Sequence, residues 1–188
     1  MQPSDFEKTV AKHIKGSKPA PVHLWDPPFC GDLEIHIDAH GRWFYQNSEI
    51  KRERLIRLFA NILKKENNKY FLVTPVEKVG ITVADVPFIA TEIDAIKKDE
   101  TMLFRFMTNV GDVIYLDKND QFQILFKKPT HEPRPYINVR SNLFAKIDRK
   151  SFYRLVEYCS EATYKGENWF GFNSNNIFFP LVKSQELG

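Results

Sequence analysis

Two ten-residue stretches far apart in the chain are built alike. IKRERLIRLF at residues 50–59 and IDRKSFYRLV at residues 147–156 match at Ile, Arg, Arg and Leu. Each sits in a similar setting. Upstream of the first, LEIHIDAHGRWFYQ sets Leu33, Ile35 and Ile37 against Glu34, His36 and Asp38, the alternation of a strand wetted on one face, and DAHG supplies a tight turn. Upstream of the second, VIYLDKNDQFQIL repeats that pattern, with Leu116 and Asp117 where Ile37 and Asp38 stand and Phe122 where Trp43 stands. Downstream, KYFLVTP closes on Pro75 and NWFGFNSNNIFFP on Pro180.

Because hairpin, helix and Pro-terminated strand recur in one order, the pattern predicts a structural duplication rather than two unrelated amphipathic helices. The expected fold is α+β, with two similar units of antiparallel β-hairpin, amphipathic helix and strand around shared middle strands. The first helix is expected over about residues 50–65, with Leu55, Leu58, Phe59, Ile62 and Leu63 inward and Arg54, Arg57, Asn61 and Lys64 outward. In the second, Phe152, Leu155, Val156 and Cys159 take the inward places. The expected organisation is an N-terminal helix and linker over 1–21, a first unit with middle strands over 22–100, a second unit over 101–182 and a disordered tail over 183–188. KKPTHEPRPYINVRSNL reads as an insertion ahead of the second helix.

A chain of 188 residues that is 43% hydrophobic can build a core without staples. Its net charge of +3, from 27 basic and 24 acidic residues with both signs interspersed, does not point to nucleic acid. No apolar run approaches a membrane span, and the N-terminus lacks the apolar centre of a secretory signal, so a cytoplasmic protein is expected. Two distant cysteines, Cys30 and Cys159, fit a reducing compartment. Cys159 falls on an apolar helix face and reads as core. FFPLV near the C-terminus could serve as a sheet edge, which leaves a homodimer open.

Chemistry is sparse. Glu34, His36, Asp38 and His40 would share one face of an unbroken strand, and His36, Asp38 and His40 are the candidate metal ligands. Successive ligands would lie about 6.6 Å apart along the strand, and the turn interrupts them, so a solvated strand face is the better reading. His13, His23 and His131 are isolated. No nucleophile elbow, phosphate loop or HExxH motif occurs. No cofactor is expected. Arg52 and Arg149 begin the two helices, where cations oppose the helix dipole. Each is expected to pair with an acid of its own unit, Asp32 for Arg52 and Asp112 for Arg149, or else to bind an anionic ligand.

WDPPFCGD, GRWFYQNSEIKRERLIRLFANIL, YFLVTPVEK and VADVPF, in that order, resemble the proteobacterial domain-of-unknown-function family 1285 over about residues 22–180. The resemblance implies a two-part α+β fold with repeated motifs, one part likened to pleckstrin-homology sheets, and a suggested part in signal transduction. It implies no catalytic residue.

The expected function is therefore a non-enzymatic regulatory module that binds a protein or small ligand, with the groove between the two units as a candidate place for it. The alternative is a metal-dependent or small-molecule enzyme using His36 and Asp38. A third reading, a nucleic-acid or membrane-surface binder, would use Arg54, Arg57, Lys64 and Lys65.

Overall fold

A computed structural model describes residues 10, 19–98, 100–127, 129 and 132–186. The chain divides into two compact units, Met1–Pro87 and Phe88–Gly188. Of the segment expected to hold the N-terminal helix, residues 1–9 and 11–18 lie outside the described residues, as do His13 and His131.

Among its described residues the first unit holds a six-stranded sheet and a nine-residue helix. Its strands are β1 (Phe29–Ile37), β2 (Trp43–Tyr45), β3 (Ser48–Glu49), β4 (Leu63–Glu66), β5 (Lys69–Val73) and β6 (Lys78–Val83), and α1 (Glu53–Asn61) joins β3 to β4. They stand in the order β3-β2-β1-β6-β5-β4, so α1 links the two edges. All neighbours are antiparallel except the central pair, β1 and β6. Leu33, Ile35 and Ile37 are buried, as the alternation requires. Beneath them, Leu55, Phe59 and Ala60 of α1 are buried, with Phe59 6.2 Å from Trp43 of β2.

The turns follow their residues. Asp38 Oδ1 accepts from the backbone N–H groups of His40 and Arg42, and Gly41 takes a left-handed φ of 75°. Gln46-Asn47 and Asn67-Asn68 both have positive φ and form the two-residue connections of β2–β3 and β4–β5. This chemistry shortens the expected helix. Asn67-Asn68 makes a hairpin of the residues around it, so the helix stops at Asn61 and residues 63–66 pair with β5. Ile62 and Leu63 are buried as expected, but beyond the helix.

The second unit holds β7 (Phe88–Lys98), β8 (Thr101–Thr108), β9 (Val113–Tyr115), β10 (Phe122–Lys127), β11 (Glu132–Arg140) and β12 (Leu143–Ile147), then α2 (Arg149–Val156) and the meander β13 (Ser160–Tyr164), β14 (Glu167–Ser174) and β15 (Ile177–Lys183). Its large sheet has the order β10-β11-β12-β7-β8-β9, again with one parallel pair at the centre, β7 with β12. Residues 116–121 carry the chain from edge β9 to edge β10. Flat, these edges would lie about 24 Å apart. The connection is nevertheless a compact turn, in which Asp117 and Lys118 N–H both donate to Gln121 Oε1, so the sheet must curl. The meander packs on this curl: Phe172 of β14 lies 5.4 Å from Phe104 of β8 and 5.5 Å from Phe122 of β10. Ser174, fully buried, accepts from Phe104 N–H and donates to the Leu116 carbonyl.

The duplication is real but differently phased from the expected one. Strands β1–β6 and β7–β12 have one topology: first and last strands parallel at the centre, the two three-stranded runs on either side. In that correspondence α1 lies between the third and fourth strands, whereas α2 follows the sixth. The two basic helices are thus not equivalent elements. VIYLDKNDQFQIL is not a hairpin either, since β9 and β10 occupy opposite edges. The expected insertion is β11, and NWFGFNSNNIFFP is two strands around an Asn175-Asn176 turn. The division falls at 87/88; residues 100 and 101 lie where β7 turns into β8. Residues 183–186 continue as the end of β15 and a 3-10 turn. Phe179 and Leu181 of FFPLV are buried in the unit.

Candidate functional site

The outward face of the first unit's sheet carries Asp32, Glu34 and His36 of β1, because the residues between them point into the core. Neighbouring strands set the partners. His36 stands opposite Phe44 of β2 and Thr82 of β6. Its imidazole lies flat on the Phe44 ring, with centroids 4.7 Å apart and planes 2° from parallel. One pleat along, Glu34 accepts a 2.7 Å hydrogen bond from Gln46 Nε2, and its carbonyl accepts from Gln46 N–H. Together Leu33, Glu34, Ile35, His36, Gln46, Asn47 and Thr82 line an open depression of about 440 Å³. Glu34 is the one acidic side chain in this lining, which holds no lysine or arginine. The site can offer and accept hydrogen bonds through an imidazole, a hydroxyl and two carboxamides.

Asp38 and His40 do not join it. Both Asp38 oxygens serve the turn, Oδ1 through two backbone N–H groups and Oδ2 through Arg42 Nε and a 2.6 Å ion pair with Arg42 Nη2. Partial burial pushes the Asp38 pKa up, but the Arg42 backbone and side-chain bonds and the His40 N–H together hold it below its ordinary value. His40 is exposed in the turn. Among the described residues no three His, Cys, Asp or Glu side chains form a group that could hold a metal ion. The structure thus puts His36 in the wall of the depression and Asp38 and His40 in the turn beyond it.

The expected arginine pairs also change. Asp112 pairs with Arg140 at 2.6 Å, both largely buried, and Arg140 also lies over the Phe88 ring. Arg149 instead makes a loose, exposed 3.7 Å contact with Glu132. Arg52 is exposed ahead of α1, and the Asp32 carboxylate lies against Gly80 of β6. Arg140 was missed because it stood inside the presumed insertion. Nor do the basic residues of the third reading form one helix face. Lys64 is on β4 and bridges to Glu66, Arg57 pairs with Glu53, and Lys65 lies over Tyr70. Cys159, expected on the helix's apolar face as core, instead lies beyond the end of α2 and is half-buried; that burial pushes its thiol up to about 11, while Cys30 is exposed. Thr82, Gln46 and Asn47 were not singled out from sequence, for only strand pairing brings them to His36.

Two family models cover the chain in tandem. Residues 20–86 match the N-terminal domain of the domain of unknown function DUF1285, and residues 87–181 match its C-terminal domain. The chain belongs to the DUF1285 family. A crystal structure of a DUF1285 family protein from Silicibacter pomeroyi is 44% identical, with a TM-score of 0.84 over 94% of each chain. A second DUF1285 structure, from Shewanella baltica, is 26% identical with a TM-score of 0.54, over 66% of this chain and 91% of that one. No curated protein matches. The boundary between the two DUF1285 models, at 86/87, is one residue from the division between the compact units. Among the described residues no helix is long and apolar enough to cross a membrane.

Proposed function

We propose that this chain is a non-enzymatic regulatory module that binds a small polar ligand, neutral or cationic, in the depression around His36. The observation that carries the reading is the lining itself. Glu34 brings negative charge, His36, Thr82, Gln46 and Asn47 bring hydrogen-bonding groups, and no lysine or arginine is among them. Such a surface disfavours phosphate and favours amines, amides and hydroxyls. The enzymatic alternative loses its proposed partner, since Asp38 is committed to its own turn. A role in bacterial signal transduction and the pleckstrin-homology likeness of one part belong to the same proposal and rest on the family resemblance, whereas a cytoplasmic location rests on the sequence reading.

A thermal-shift screen of amino acids, polyamines and nucleosides tests it. At about 100 times its Kd a true ligand should raise Tm by roughly 5 °C or more. His36→Ala and Thr82→Lys should each abolish that shift with little change in the Tm of the unliganded protein. If no compound in these classes raises Tm, or the shift survives both substitutions, the proposal fails.

A further inference from the structure

Among the described residues the outer part of the β10–β11 ladder is protected on one side only. Asn138 N–H donates to the Gln121 carbonyl, and Gln121 stands opposite Asn138 in the β10–β11 register. Antiparallel alternation then directs the backbone groups of Gln123, Leu125 and Lys127 towards β11, and those of Phe122, Ile124 and Phe126 towards the open edge of the sheet. On the far side of the hairpin, β12 pairs with β11 only as far as Tyr136. Beyond it, the positions facing away from β10 are Pro133 and Pro135, which have no N–H to offer. Proline thus blocks one edge of this outer part against strand addition.

The β10 edge has no such block. Leu125 is 53% and Phe126 43% exposed, although successive residues of a strand point to opposite faces. Among the described residues, neither face of β10 is covered at these positions. Exposed apolar side chains next to unpaired backbone groups make a site for an added strand.

We infer that this edge pairs antiparallel with β10 of a second copy of the chain, about a two-fold axis at Ile124. Such a contact must be self-complementary, and the sequence of β10 is. With Ile124 opposite its own copy, the outward N–H and C=O groups of Phe122, Ile124 and Phe126 meet each other across the axis. Phe122 of one copy then faces Phe126 of the other, extending the cluster in which Phe122 already lies 5.5 Å from Phe172 and 6.0 Å from Phe179. Leu125 faces Gln123. The charges also match, since Lys127 arrives beside the Asp120–Gln121 end of the opposing strand. The two exposed apolar residues and the charge asymmetry of β10 are accounted for by one contact.

Sedimentation equilibrium of the full chain tests the pairing. The wild type should associate as a dimer, and Phe126→Lys, which places like charge near the axis, should weaken association about tenfold or more. Cross-linking supplies a readout independent of any folding defect in that variant. In a Cys30→Ser, Cys159→Ser background, Ile124→Cys should form an intermolecular disulfide on mild oxidation, because residues opposite each other in a hydrogen-bonded antiparallel pair lie within disulfide reach. A wild type that stays monomeric at millimolar concentration overturns the inference. So does a dimer that Phe126→Lys leaves intact and Ile124→Cys does not cross-link, which would place the interface elsewhere.

Discussion

At the scale of single residues, two buried glycines look alike in sequence and differ in what surrounds them. A Cβ on Gly171 would lie 2.3 Å from the Phe179 carbonyl and 3.0 Å from the Pro180 Cα, both backbone. A Cβ on Gly80 would meet mainly the Asp32 carboxylate, the end of a short exposed side chain that can turn away. Gly171→Ala should therefore cost about 2–4 kcal/mol by urea unfolding and Gly80→Ala less than about 1 kcal/mol. Asp38 offers a second test at this scale. Its folded-state pKa lies below the ordinary 3.8, so its stabilisation is complete above that value and is lost as pH falls through the folded pKa. Asp38→Asn should lower stability at neutral pH and flatten the acid limb below about pH 4; an unchanged acid limb would show that its turn bonds contribute nothing. Neither Asp38's double role nor the depth of Gly171 is visible in a string of letters. The presence of an Asp-x-x-Gly turn was.

At the scale of elements, local chemistry and tertiary context divided the decisions between them. The strand alternation of Leu33 to Ile37 and the turn at Asp38–Gly41 are properties of short segments, and they appear where the letters put them. Helix length is not such a property. Residues 62–65 continue an apolar stripe of helical period, but the Asn67-Asn68 turn and the pairing of Leu63 with Leu72 take them into β4. The two helices also differ at their starts. Asp148 caps α2 by accepting 2.7 Å from Ser151 N–H, which offsets the cations of its first turn, whereas Arg52 provides no side-chain cap for α1. Asp148→Ala should destabilise the protein by about 1 kcal/mol, measured by urea unfolding, with Asp148→Asn recovering most of the loss. Of the candidate site, His36 and its outward face were legible from alternation. Thr82 and Gln46 were not, because they reach His36 through strands paired far along the chain.

At the scale of the whole molecule, the duplication is a statement about topology. Among the described residues each half contains a six-stranded sheet whose first and last strands meet in parallel, and each has its own buried residues: Trp43, Phe59 and Leu72 in one, Phe104, Phe106 and Phe172 in the other. Residues 88–188 expressed alone should accordingly unfold in a single cooperative thermal transition with native-like near-ultraviolet circular dichroism; loss of that signal would mean the half needs its neighbour to pack. The sequence by itself determined that the chain is a duplicated α+β protein of the DUF1285 family, where the Leu33–Ile37 strand and its Asp-x-x-Gly turn lie, and which residues are apolar enough to be core. Tertiary structure alone decided which strands pair. Similar amphipathic helices at 50–59 and 147–156 suggested one phase for the repeat, and the strand order imposed another. The physical reason is that periodicity fixes which face of a segment is buried, whereas the partner that buries it is chosen by contacts between residues distant in the chain.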